Sequence, residues 1–515
     1  MSALGEPFIT VVGKGGPSIP MTLPGVLAAL ARDEVAGFSA LRAHQRHAWH
    51  SFLVLLAAIA LQRAGLSSPL ESEAEWCDLL RRLTPGYAGD EPWCLVTPLS
   101  QPALLQPPIP SGNLTELKNL ITTPDGLDML VTAKNHDIKQ AVMTEAAAED
   151  WLFALVTLQT MEGFLGAGNY GISRMNGGFA NRAAISISPP GGPAAHWQRD
   201  VRQVLALRGK IGGGIYAPQD GLALLWLTPW DGTDSLRQDK LDEYYIEICR
   251  RVRLSVEQGH LVAHAGTTKA PRVVPIPGGV TGDPWSPVVV EKGGVIKSLT
   301  VNGSGLGYRR MVEFMFNVRP SPLQREAADD AKQGLHILAR ALVRGQGKTE
   351  GYHERRVPLS RTIKSGLRER AADRGAQAAH DRVELAGLMQ NQVLKRALMS
   401  LFQNGPDKIK GDDKESQRKA EPFLKRFDVV VDRDFFSDLW IEADEDDPDK
   451  RDHLRGVWVR KLKALAERLL DEAEHEAARS SRRRYRAVVR AQDRLSSAAR
   501  FNDKINPYLS EGPAA

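Results

Sequence analysis

Cysteine is scarce in this chain: three in 515 residues, at Cys77, Cys94 and Cys249. They are odd in number, far apart and form no C-x-x-C pair, which excludes a disulfide framework or zinc knuckle and fits a reducing cytoplasm. Aromatic residues make up only 6%, too few for a surface built mainly on base stacking. No long hydrophobic run is present. The longest, SFLVLLAAIAL from Ser51 to Leu61, has about half the ~20 residues a membrane span needs. It reads as a buried helix, and the opening MSALGEPFITVVG lacks the charged and apolar regions of a signal peptide. There is no G-x-S-x-G motif, no defensible nuclease motif and no locally paired catalytic carboxylates, so an enzyme is not supported.

The 42% hydrophobic content is enough for sizeable cores, and the length suggests two to four domains. The net charge of +5 is unevenly spread. From Arg325 onward lie 39 Lys and Arg against 33 Asp and Glu; before it lie 28 against 29. That basic excess suits an anionic partner, and equally a solvated helical surface.

The pattern along the chain predicts an α+β protein: a large mixed domain over 1–324, then a basic four-helix bundle over 325–515. The N-terminus reads as a strand pair (FITVV, a GKGG turn, SIPMTL), followed by helices near Leu23–Ala31 and Ala43–Ala64. Glu145–Met161 has helical periodicity with acids at its start. Short strands (AAISIS, SPVVVEK, KSLTV, VEFMF) and a helix near Leu241–Leu254 are expected next. Residues 325–343, 365–403, 419–441 and 452–500 carry helical periodicity, with Gly- or Pro-containing breakers between them. The acidic run EADEDDPD at Glu442–Asp449 reads as a solvated connection.

The segment GAGNYG, Gly166–Gly171, matches G-x-G-x-x-G. A dinucleotide site would need a strand before it, a helix after it and an acid about 20 residues on. Here the preceding segment is helical. Between Gly171 and Arg199 there is no acid, only Arg174, Arg182 and Arg199. What remains is a structural turn, or a bare loop whose backbone can approach a phosphate or a groove. GQGKT at Gly345–Thr349 likewise fails as a P-loop, because Leu342 stands where a glycine is required. His44, His47 and His50 lack a convergent carboxylate or cysteine in sequence and read as solvated or capping; His260 and His264 lack the glutamate of a zincin. Metal and cofactor are therefore expected to be absent. Arg482, Arg486, Arg490 and Arg494 recur at i+4 and form one helix stripe, with Val488, Val489 and Leu495 available for burial. Such a stripe can follow a phosphate backbone or balance a neighbouring acidic element.

Taken together, the length, the strand pair, the mid-domain glycine loop and the C-terminal helices resemble the CasA family, the large subunit of the type I-E CRISPR Cascade complex. Order and spacing carry the resemblance over the whole chain. It implies a non-catalytic protein that recognises a short protospacer-adjacent motif (PAM) on double-stranded target DNA, assists duplex opening and recruits a helicase-nuclease. It implies as partners the guide CRISPR RNA and the backbone, small and handle-binding subunits. By the resemblance, the PAM loop falls on Gly166, Gly168 and Asn169 with Lys269, and Arg272 is a rival for the lysine's role. Ala167 departs from a further glycine of the family pattern, which puts an identical PAM preference in doubt. The wedge into the duplex falls on Gln346, Gly347 and Lys348, and contact with the guide-RNA handle on Lys134, Asn135 and His136. The arginine stripe would lie near DNA. A nucleotide-dependent enzyme using GAGNYG and a helical scaffold without nucleic acid remain the alternatives.

Overall fold

In the computed structural model, all residues are described except 129–142, 144, 175–181, 211–213, 328, 331–333, 346–347, 361–373, 477–480 and 511–515. The chain forms two units, one of Met1–Leu306 with Asn317–Val357 and one of Gly307–Phe316 with Pro358–Ala515.

The first unit opens on a three-stranded antiparallel sheet, β1 (Ile9–Gly13) between β2 (Ser18–Met21) and β3 (Val35–Phe38). Helix α1 (Leu23–Ala31) starts at Thr22, whose Oγ1 accepts from the Gly25 N–H at 3.0 Å and donates to Glu73 at 2.5 Å. The apolar run lies in α2 (Arg46–Arg63), which is buried almost all round, as a central helix should be. Helix α3 (Glu73–Arg82) follows, then strand β4 (Asn119–Ile121) and α4 (Ala148–Met161). Strand β5 (Ala183–Ser188) is buried at every residue, and α5 (Pro193–Leu207) packs on α2. Strands β6 (Leu222–Leu224) and β7 (Leu241–Ile246) pair in parallel. Strand β8 (Arg251–Glu257) pairs with β9 (His260–Gly266), which also pairs with β4; β10 (Val288–Val290) and β11 (Ile296–Ser298) form a hairpin.

Two expected helices are strands. The segment near Leu241–Leu254 divides into β7 and β8, and RVRLSVE in β8 has the period-2 alternation of a strand. The Ala/Leu/Arg segment at 325–343 contributes β12 (His336–Gly345), which runs antiparallel to β5 with His336 opposite Ser188 and Ala341 opposite Ala183; β13 (Lys348–Pro358) flanks it. Ile337, Leu338, Ala339, Ala341, Leu342 and Val343 are all buried. A strand buried on both faces shows no alternation, so composition favours helix while pairing with β5 decides otherwise. Conversely VEFMF is helical: α6 (Tyr308–Val312) runs into a π turn at Glu313–Asn317. The histidines near α2 are not solvated. His44 and His47 are buried, and His44 is bonded to Asp128 at 2.7 Å.

The second unit is a bundle of long helices. Helix α7 (Arg374–Leu388) passes through a π turn into α8 (Lys395–Phe402); α9 (Lys414–Asp444), α10 (Pro448–Glu474), α11 (Ser481–Arg500) and the short α12 (Asn506–Ser510) follow. The stretch expected as one helix over 452–500 is thus divided between α10 and α11. Phe423, Phe427, Val431, Phe435 and Leu439 repeat every four residues along the buried face of α9. Glu442, expected in a solvated run, is fully buried in the last turn of α9, bonded to Arg382 at 2.6 Å and to Arg455 at 2.6 Å. Two guanidiniums on one carboxylate satisfy a charge that would otherwise be costly to bury.

Candidate nucleic-acid interface

The glycine loop begins where α4 ends. The Leu165 N–H donates to Asn169 O at 2.9 Å and the Asn169 N–H to Gly166 O at 3.0 Å, closing a tight turn. Gly166 (φ 118°) and Gly168 (φ 86°) adopt conformations that side chains disfavour. They differ in their surroundings. A Cβ at Gly166 would meet nothing within 4 Å, whereas one at Gly168 would lie 2.9 Å from Thr267 Cβ.

That closeness joins two parts of the chain about 100 residues apart. The Thr268 N–H donates to Gly168 O at 2.9 Å, and the next residue is Lys269. Lys269 N donates in turn to Gly232 O at 2.7 Å, where Gly232 (φ 90°) has no room for a Cβ. The exposed Lys269 side chain therefore emerges from a bend fixed on the glycine loop. Its rival Arg272 is buried. Its guanidinium donates to Leu225 O at 3.1 Å and Thr228 O at 2.8 Å and lies over the Trp230 ring, and burial lowers its pKa to about 10. Asn169 lines a cleft of about 260 Å³ with Glu162, Leu165, Arg250, Arg251 and Thr267.

The loop's neck is held by residues that the sequence pattern does not single out. Gly163 and Gly171 touch backbone to backbone; a Cβ on Gly171 would lie 2.5 Å from Gly163 C. The buried Arg250 guanidinium donates to Tyr170 O and, at 2.7 Å, to Gly163 O, spanning both sides of the neck, with Glu162 3.7 Å away. Gln159 holds the Arg250 backbone at both ends: its Oε1 accepts from Arg250 N at 2.8 Å and its Nε2 donates to Arg250 O at 3.0 Å. Beyond the loop, Glu247 accepts from Ser173 N at 2.6 Å and Ser173 Oγ at 3.0 Å. Burial raises the Glu247 carboxyl to about 7, against the lowering effect of the Ser173 bonds and Arg174. Arg250 and Glu247 flank the β7–β8 junction, where the sequence pattern suggests a helix.

The dinucleotide requirement fails in three dimensions as well: the loop follows α4 rather than a strand, and the strand β5 is the next regular element of the described residues. For the expected wedge, β12 ends at Gly345 and β13 resumes at Lys348; Gln346 and Gly347 lie outside the described residues, as do Lys134, Asn135 and His136. Along the arginine stripe Arg486 and Arg490 are exposed and Arg494 is half-buried, and Arg482 at its start is exposed as well. The other three point at one turn. Arg490 pairs with Asp407 at 3.1 Å, Arg486 lies 3.7 Å from it, and Arg494 donates to Pro406 O at 2.7 Å. The buried edge of α11 is Ala487, Ala491, Leu495 and Ala499, while Val489 is exposed.

The family model of CRISPR-associated protein Cse1 matches residues 3–469. The chain belongs to the Cse1 (CasA) family. Similar structures include Cse1 of Thermobifida fusca (TM-score 0.68, 15% identity, 99% of this chain and 98% of that one). CasA (Cse1) of Thermus thermophilus is alike (0.64, 15%, 97% and 98%), as is a chain of a CRISPR RNA-guided surveillance complex (0.60, 13%, 97% and 99%). At such identities the likeness to these structures is one of fold. No curated protein sequence matches. Among the described residues no helix is long and apolar enough to cross a membrane.

Proposed function

We propose that this chain is the non-catalytic Cse1 subunit of a CRISPR RNA-guided surveillance complex, in which it reads a short motif on duplex target DNA, assists duplex opening and recruits a helicase-nuclease. Membership of the Cse1 family supports the subunit role, as does the shared fold with a chain of such a complex. The observation that carries the DNA-reading part is the Gly168–Thr268 hydrogen bond, which sets an exposed lysine beside a loop of bare backbone. A flat backbone and one cation suit the minor groove, whose pattern of donors and acceptors is degenerate and whose walls are anionic. In this reading Gly166, Gly168, Asn169 and Lys269 contact the PAM while pairing with guide RNA reads the rest of the sequence. Gln346, Gly347 and Lys348 would enter the opened duplex. Lys134, Asn135 and His136 would meet the guide-RNA handle, and Arg482 leads the stripe toward DNA.

The test is purification of the tagged chain from its native host, with sequencing of any RNA that accompanies it. Recovery with several other subunits and repeat-derived RNA is expected. Persistent recovery as a lone chain under gentle, low-salt conditions, in cells that express the complex, would count against the subunit role.

A further inference from the structure

His50 on α2 and His196 and Asp200, one turn apart on α5, converge in the first unit and have no part in the nucleic-acid reading. His50 Nε2 lies 2.9 Å and His196 Nε2 3.3 Å from the same Asp200 Oδ2, and the two imidazoles stack with centroids 4.3 Å apart. All three donor atoms lie within 4.8 Å of one another. With metal–ligand bonds of ~2.0–2.1 Å, the edge between two ligands of a tetrahedral zinc site is roughly 3.3 Å. The two edges to Asp200, 2.9 and 3.3 Å, lie near that value, and the third is no longer than 4.8 Å.

The charge balance points the same way. Asp200 is fully buried. Its neighbour Arg199 approaches Oδ1 at 3.2 Å but makes a two-pronged pair with Asp330 at 2.6 and 3.0 Å, so its charge is already matched. Asp200 thus shares its nearest guanidinium with Asp330, and buried charges are ordinarily paired or bound to metal. Arg199 and Trp285 Nε1, the latter 3.3 Å from Oδ2, orient the carboxylate from outside, as supporting groups do around metal ligands. His50 and His196 also line a cavity of about 360 Å³, which supplies an entry path and room for a further ligand. Arg340 on that cavity's wall is offset by Glu354 at 2.8 Å.

We propose that His50, His196 and Asp200 bind one divalent transition-metal ion, zinc by preference, tying α2 to α5 and leaving a coordination position open toward the cavity. Two imidazoles and one carboxylate suit zinc and its first-row neighbours rather than magnesium or calcium.

The test uses the untagged full chain, stripped with chelator and dialysed, then titrated with Co²⁺ and followed by its visible ligand-field absorption, with Zn²⁺ added to displace it. Saturation at about one ion per chain, the count a single mononuclear site allows, is expected. Zn²⁺ should abolish the band. His50→Gln and His196→Gln should remove saturable uptake with circular dichroism unchanged, and Ser186→Ala, which frees the ligating His196 Nε2 of a hydroxyl 2.9 Å away, should keep or tighten it. If a histidine variant loses its fold, Asp200→Asn, of the same shape, takes its place. Absence of saturable uptake by the folded wild-type chain overturns the proposal, as does undiminished uptake by the folded ligand variants.

Discussion

The glycine loop and the arginine stripe on α11 both read from sequence as nucleic-acid contacts, and they are built in opposite ways. The loop owes its form to distant residues: Arg250 spans its neck, Thr268 bonds its tip and Gly232 fixes the bend that carries Lys269. The stripe is local helical geometry, and three of its four guanidiniums are directed at the Pro406–Asp407 turn. Gly405 helps to set that turn, because a Cβ there would lie 2.7 Å from Arg486 O. The preorganised element is therefore the one with almost no side chains. The charge-rich element spends much of its charge inside its own unit, leaving Arg482 at its exposed start.

Breaking the loop's neck should have the largest effect. Arg250→Met strips a charged donor from Gly163 O and Tyr170 O and removes the cation near buried Glu162. A cost of about 3–5 kcal/mol in denaturant unfolding is expected, the range for breaking a buried ion pair, together with loss of target-DNA binding by the assembled complex. Arg490→Ala in the stripe should cost no more than about 1 kcal/mol, as exposed pairs do.

Glu247 offers a second, pH-dependent handle on the same region. Its folded pKa of about 7 lies above the ordinary glutamate value of 4.5, so its contribution to stability is full below about 4.5 and is lost as pH rises through about 7. Glu247→Gln should flatten the fall in stability between those values, read as denaturation midpoints across the pH range.

The two loop glycines separate strain from contact. Gly166→Ala meets only an unfavourable φ, about 1–3 kcal/mol, whereas Gly168→Ala also drives its Cβ into Thr267. The Gly168 variant should weaken DNA binding by the complex roughly tenfold more, which corresponds to about 1.4 kcal/mol. Adding Thr267→Gly should recover part of that loss. The smallest effect belongs to the stripe: Arg482→Ala should leave stability within about 0.5 kcal/mol. If Arg482 meets a phosphate, it should also lower the salt dependence of DNA binding by about one unit of slope.

This contrast also marks what is legible in the sequence. The α2 helix, the N-terminal strand pair and the helical bundle follow from periodicity that survives in the fold. The glycine loop stands out because Gly166 and Gly168 lie in a stretch without acids. The β12 strand is hidden because its apolar residues are buried on both faces and carry no alternation. Arg250, Thr268 and Gly232 are hidden for another reason: their roles arise from hydrogen bonds to backbone far away in the chain, which no local pattern encodes. The same holds for His50, whose partners His196 and Asp200 are about 150 residues away. Glu442 looks solvated because its neighbours are acidic, and the Arg382 and Arg455 that bury it come from other helices.

The most direct test is binding of the assembled, RNA-guided complex to a pool of duplexes that share one guide-matched target and carry randomised flanking bases. Wild-type complex is expected to enrich a short flanking motif beside the target, and complexes carrying Lys269→Ala or Gly168→Ala should lose that enrichment while still binding targets that are already single-stranded. An unchanged flanking preference in both variants would contradict the assignment of motif reading to the glycine loop and its lysine.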